Sequence, residues 1–191
     1  MIPAGAFTPS PVTSSFLPPY DTPFSPLAHI VPGGIALGDT SRGRQYQNWE
    51  ASYSAGSIQV KPSGGAVVFT LAAPSAQTIS LSFDSNMGIV LAWMNSSLEG
   101  NLYYYDTLAS SFTTRVFTGL TSCKVCVDDS RDFNAGNSDV IFAYTKSGGL
   151  FYRQQRDRYD VEYTIGATSK LLQRCGPSVG NRLQFEVVGP D

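Results

Sequence analysis

Leu81-Ser82-Phe83-Asp84, Gly88-Ile89-Val90-Leu91-Ala92-Trp93, Asn101-Leu102-Tyr103-Tyr104-Tyr105 and Phe112-Thr113-Thr114-Arg115-Val116 are followed, in the same order of elements, by a second set. That set is Lys124-Val125-Cys126-Val127-Asp128, Asp139-Val140-Ile141-Phe142-Ala143-Tyr144, Gly149-Leu150-Phe151-Tyr152-Arg153 and Asp160-Val161-Glu162-Tyr163-Thr164. Each set is four short runs rich in β-branched and aromatic residues, separated by Ser, Asn, Gly and Asp clusters. Such a pattern spells a four-stranded antiparallel meander, written twice between Leu81 and Thr164.

Working outward, Gln45 to Tyr53, Ser57 to Lys61 and Ala66 to Leu71 form an incomplete unit, with Ser63-Gly64-Gly65 as a hairpin turn. Gly33-Gly34 and Gly38 to Arg44 are expected to be a polar turn region ahead of the first strand. Lys170 to Arg174 and Asn181 to Val188 supply two closing strands, the last alternating cleanly at Leu183-Gln184-Phe185-Glu186-Val187. No stretch of a dozen residues has helical periodicity with a cap. The fold class expected is all-β, antiparallel sheets built from repeated four-stranded meanders, arranged as a sandwich or a partial propeller. With two convincing units and a fragment, a propeller closed within one chain is not expected.

Residues 1–38 differ from the rest. They hold eight of the twelve prolines, and Asp21 is their only charged residue apart from His29. Proline at this density removes backbone donors and fixes φ, so the segment is expected to be extended. Phe7, Phe16, Tyr20 and Phe24 stand out along it, and a solvated tail is ordinarily poor in such residues. The expectation is an arm, residues 1–38, that docks these aromatics on a neighbouring surface, and a β-rich domain at 39–191. At about 3 Å per residue such an arm reaches on the order of 100 Å.

The formal charge of −2 on 191 residues gives no steering toward nucleic acid or an anionic membrane. No apolar run is long enough to span a bilayer, and the start lacks the basic and apolar regions of a signal peptide, so a soluble, unprocessed chain is expected. Cys123, Cys126 and Cys175 make no even disulfide framework. Cys123 and Cys126 share a strand, three residues apart and so on opposite faces, which suits small apolar residues in a reduced compartment better than a redox or zinc motif.

No cofactor and no resident metal are expected. His29 has no triad partners in view, and most carboxylates fall where Asp caps turns, so catalysis is not expected. The acidic stretch Asp128 to Asp139 has the composition of a calcium loop without the EF-hand spacing, and is expected to be a long hairpin loop. Arg153-Gln154-Gln155-Arg156-Asp157-Arg158-Tyr159-Asp160 is the densest polar run. Its Arg153, Arg156, Asp157 and Arg158 are expected to form Arg–Asp pairs on adjacent strands or across a subunit contact. Trp93 with the tyrosine run and Tyr144 offers an alternative, a sugar-stacking or host-receptor face, although aromatic core is the commoner use. A glycan-cleaving enzyme is the remaining alternative.

Asp139 to Tyr144 and Gly148 to Tyr159 resemble tail-associated virion proteins of short-tailed bacteriophages, as do Ile35-Ala-Leu-Gly-Asp-Thr-Ser-Arg-Gly43 and Asn181-Arg-Leu-Gln-Phe-Glu186. The resemblance covers about residues 35 to 188 and leaves out the arm. It implies a β-rich virion component of the tail or head-to-tail region, made in the host cytoplasm. It implies several copies, in contact with other tail proteins and linking nozzle or adaptor to fibres, and it carries no catalytic residues.

Overall fold

The two apolar runs that lack alternation, Ile89–Asn95 and Val140–Lys146, are second strands of sheets whose two faces are both buried. The computed structural model describes residues 33–39, 46–84, 88–128, 139–177 and 183–189. Sheet 1 is the meander β1 (Gly33–Asp39), β2 (Tyr46–Ser54), β3 (Ser57–Pro62) and β4 (Phe69–Ala72). Sheet 2 is β5 (Ala76–Phe83), β6 (Ile89–Asn95), β7 (Gly100–Asp106) and β8 (Ser111–Phe117). Sheet 3 is β9 (Ser122–Val127), β10 (Val140–Lys146), β11 (Gly149–Gln154) and β12 (Tyr163–Ala167). A hairpin, β13 (Leu171–Pro177) and β14 (Leu183–Val188), follows. The chain is all-β, and every strand pair is antiparallel.

The first strands form a row: β1 lies against β5, β5 against β9, and β9 against β13. The sheets therefore stack face to face like successive blades, three complete and one half-built. β1 and β13, at the ends of the row, make no comparable contact, so the arc stays open among the described residues. Of the two arrangements expected, the blade-like one is adopted.

Three cores fill the gaps between successive sheets. Between sheets 1 and 2 lie Ile58, Val60, Ile79, Leu81, Leu91 and Trp93. Val90, Ala92, Leu102, Tyr104, Val125, Phe142 and Tyr144 lie between sheets 2 and 3. Ile141, Ala143, Leu150 and Leu172 lie between sheet 3 and the hairpin. Successive residues of a strand point to opposite faces, so β6 sends Leu91 and Trp93 one way and Val90, Ala92 and Met94 the other. Both destinations are dry, which erases alternation from the sequence. β2 to β4 instead alternate: Ala51, Ile58, Val60, Phe69 and Leu71 face sheet 2, while Ser52, Gln59, Thr70 and the Lys61–Glu50 pair (3.7 Å) take the other positions. Sheet 1 is an end blade, and its alternation marks it as one.

Turn chemistry fixes register. Ala55-Gly56 (φ 47° and 82°) and Ser147-Gly148 (φ 47° and 76°) are two-residue turns with both central residues left-handed. Their twist matches that of the paired strands, which joins Ser54 to Ser57 and Lys146 to Gly149.

Two expectations need correction. Gly33 to Asp39 is a strand, paired with β2 from Gly33↔Ser52 to Asp39↔Tyr46, and not the end of the arm followed by a turn. The incomplete unit is thereby complete. Three glycines in seven residues depress strand propensity and hid it. β12 begins at Tyr163 rather than Asp160, because Arg158 and Tyr159 turn the chain with φ of 52° and 59°.

As the inner edge of sheet 3, β9 leaves backbone groups without a strand partner, and Ser80 of β5 reaches across to them. Its hydroxyl accepts from Val125 N–H (3.0 Å) and donates to Val125 C=O (3.2 Å). Ser80→Ala leaves both groups buried and unpaired, and is expected to cost about 1–3 kcal/mol, read as a lower urea midpoint with an unchanged m-value. An unshifted midpoint would show the bridge to be dispensable.

Candidate functional site

The polar run 153–160 is a wedge driven between sheets 2 and 3. β11 ends at Gln154, a single 3-10 turn spans Gln155–Asp157, and Arg158 and Tyr159 follow in the left-handed region. That conformation costs about 1–2 kcal/mol per residue, and three arginines hold it. Arg153 donates through Nη1 to the carbonyls of Tyr159 (2.9 Å) and Asp160 (2.7 Å), through Nε to the Tyr144 hydroxyl (2.8 Å) and through Nη2 to Glu162 (3.2 Å). Arg156 donates through Nε to Asp139 (2.6 Å) and through Nη2 to Asp128 (2.9 Å), tying the two ends of the β9–β10 loop together. Arg158 forks onto Asp106 of sheet 2, Nη2 to Oδ2 at 2.7 Å and Nε to Oδ1 at 3.2 Å.

Sheet 2 answers with Arg115, whose Nη1 donates to the Arg158 carbonyl and to Asp160, both at 2.7 Å. Asp157 accepts from the Tyr163 hydroxyl at 2.7 Å. The expected Arg–Asp pairing is made inside the chain by Arg156 within sheet 3 and by Arg158 across to sheet 2, whereas Arg153 pairs with Glu162 and Asp157 with a tyrosine hydroxyl instead of an arginine. These guanidinium groups are spoken for without a partner.

Electrostatics follow the geometry. The Arg158 hydrogen bond, with backbone donors from Ala109 and Leu108, holds the Asp106 carboxyl down to about 2. Burial raises Asp139 against the opposing hydrogen bonds from Arg156. Burial, then the Glu162 carboxylate, pushes the Tyr144 hydroxyl up, so it stays a donor to Glu162. Cys123 is pushed by burial up to about 12, and Cys126 rises through burial and then its contact with Cys175. Cys123 joins the core between sheets 2 and 3, Cys126 the core against the hairpin. Their opposite facing is as the spacing requires.

The aromatic platform is composed differently from the expected one. Trp93 is 5% exposed, Tyr104 2% and Tyr144 1%, so these rings are core and cannot stack on a ligand. What remains at the surface is a row: Phe69 to Tyr103 (5.4 Å between ring centres), Tyr103 stacked on Phe112 (5.1 Å, 6° between planes), and Tyr105 edge-on to Phe112 (5.3 Å). Phe112 is 45% exposed, and exposed Val116 shares its face of β8. Phe112 was missed because the Tyr105↔Phe112 register that aligns it exists only once β7 and β8 pair. Phe69 comes from a different sheet and has no local signal.

Of the remaining candidates, Phe7, Phe16, Tyr20 and Phe24 lie outside the described residues, as do His29 and residues 129–138 of the acidic loop. Asp128 and Asp139, which flank that loop, are both engaged by Arg156. Among the described residues no group of three or more His, Cys, Asp or Glu side chains gathers as for a metal. No described helix is long and apolar enough to cross a membrane.

The fold and site define an open arc of antiparallel blades locked by an arginine wedge. No family model matches this chain, and no curated protein matches its sequence.

Two outcomes test the wedge. Asp106, depressed in the folded state, contributes stability that is present above about pH 4 and lost as pH falls toward 2. Asp106→Asn is expected to lose that component, so its stability difference from wild type shrinks over the same interval. Asp139 titrates with the opposite sign, so the difference between the curves isolates Asp106, and a difference independent of pH refutes the assignment. Tyr159 is fully buried, edge-on to Tyr104 at 4.8 Å, and its hydroxyl finds no partner among the described residues. Tyr159→Phe is expected to leave stability unchanged or raise it by about 1 kcal/mol, while Tyr159→Ala costs about 3–5 kcal/mol. A destabilised phenylalanine variant in chemical denaturation means that the hydroxyl is bonded.

Proposed function

We propose that this chain is a non-enzymatic structural component of a virion, of the kind found in the tail or head-to-tail region of short-tailed bacteriophages. In this role it assembles with other tail proteins through its N-terminal arm. The observation that carries the reading is the disposition of charge. The wedge arginines and their carboxylates are consumed in intrachain pairs: Arg115–Asp160 and Arg158–Asp106 fix sheet 2 against sheet 3, and Arg153–Glu162, Arg156–Asp128 and Arg156–Asp139 brace sheet 3 itself. Such an arrangement serves rigidity rather than proton transfer. The sequence likeness to tail-associated proteins supports the virion setting, and the apolar, Pro-rich segment ahead of β1 supports an arm that holds a neighbour.

A host-surface sugar contact is the second reading. Its support is the exposed Phe112 ring with the half-buried Tyr103 and Tyr105 beside it, since flat aromatic faces suit sugar rings.

The test is the mass in solution of the full chain and of a chain lacking residues 1–32, which spares β1, with circular dichroism to show that both keep their strands. The expected outcome is that the full chain self-associates or binds a tail protein while the truncated one stays a folded monomer. Two identical monomers that bind no virion protein would end the structural reading.

A further inference from the structure

The aromatic row is continuous with the core between sheets 1 and 2. Phe69 and Tyr103 pack against that core from its outer side, and Phe112 and Tyr105 extend them to the surface. It is a strip of neighbouring rings, and among the described residues the hydroxyls of Tyr103 and Tyr105 take part in none of the side-chain hydrogen bonds that tie sheets 2 and 3. Grooves lined by aromatic rings with free donors suit polyproline segments. Such a segment keeps its backbone carbonyls solvated and gives up little conformational entropy on docking.

The chain supplies such a segment. Pro18-Pro19-Tyr20-Asp21-Thr22-Pro23-Phe24-Ser25-Pro26 precedes β1. Residues three apart share an edge of a polyproline helix, which groups Tyr20, Pro23 and Pro26. One turn of that helix rises about 9 Å. Alternate rings of the row lie up to about 10 Å apart, their neighbours being 5.1–5.4 Å apart.

Reach is also satisfied. Gly33, where the chain enters sheet 1, is in one register row with Ser52, Gln59 and Thr70, next to Phe69. Three strand spacings, about 14 Å, separate Gly33 from β4. Seven to ten polyproline residues span about 22–31 Å, enough to cross the sheet end and run down the row.

We propose that the row Phe69, Tyr103, Phe112 and Tyr105, half-buried except for the exposed Phe112, is the acceptor surface for residues Pro18 to Pro26 of this same sequence. The groove takes the chain's own arm when the chain is alone. It takes the arm of an adjacent copy when chains assemble, an exchange of identical elements. This rests on the arm reading above and names the surface that the arm holds.

The experiment uses the full chain with a cysteine in the arm, Ser25→Cys, paired with one beside the groove, Thr114→Cys, which is exposed and in register with Tyr103. Oxidised glutathione is the oxidant, and the control partner is Gln59→Cys on the far side of sheet 1. The expected result is a 25–114 disulfide, mapped by peptide mass, that forms about tenfold faster than the 25–59 control. Adding Phe112→Ala is expected to slow it about tenfold, the usual consequence of truncating an aromatic anchor. A crosslinked monomer identifies the chain's own arm, and a crosslinked dimer the exchanged arm. Equal rates at residues 114 and 59, or no effect of Phe112→Ala, overturns the groove. A soluble oligosaccharide that binds the row in the full chain also overturns it, because the groove is then open to sugar. If truncation abolishes assembly while the 25–114 bond does not form, the arm reading stands and the groove alone fails.

Discussion

Everything in this architecture depends on the need of a sheet face to be covered, and the cover here is always the next sheet in the chain. Sheets 2 and 3 each bury one face backward and one forward, while sheet 1 and the hairpin bury one, so the interior consists of three thin cores in series rather than one central core. Burying a large apolar side chain is worth about 1.5–3 kcal/mol. In β6 and β10 nearly every position collects that gain, because neither face is wet. Stability is therefore modular: loosening one core leaves its neighbours intact, in the manner of nearest-neighbour repeat proteins.

Apolar cover fixes the spacing of the sheets, and polar bridges fix their slide. Ser80 binds the inner edge of sheet 3 at one end of the interface, and the 153–160 wedge binds the outer hairpin of sheet 2 at the other. Hydrophobic attraction has no preferred direction, whereas the forked Arg158–Asp106 pair does. The left-handed Arg158 and Tyr159 are the local cost of turning the chain sharply enough to deliver both a guanidinium and a buried ring to the same gap.

The sequence shows the doubled meander because β6 to β8 and β10 to β11 carry long apolar or aromatic runs between turn residues. It shows sheet 1 poorly, since β1 is glycine-rich and its strand character comes from pairing with β2. The Arg–Asp run is legible as pairing, but Arg156 and Arg158 meet carboxylates as far as 28 and 52 positions away, Asp128 and Asp106. Trp93 illustrates the opposite failure. An aromatic strand residue looks the same in a sequence whether it faces solvent or a second sheet, and only stacking of the blades decides. Phe112 becomes visible as a surface ring for the same reason.

The two cysteines of β9 have a consequence of their own. Cys123 is sealed by the contact between sheets 2 and 3, and Cys126 by the contact with the hairpin, where it meets Cys175. Three residues apart on one strand, they sit behind two different doors. The hairpin rests on a single neighbouring sheet, so its detachment is the cheaper fluctuation. The order in which the two thiols become reactive is therefore a clock built into the fold, one that separates fraying of the last half-blade from parting of the central sheets.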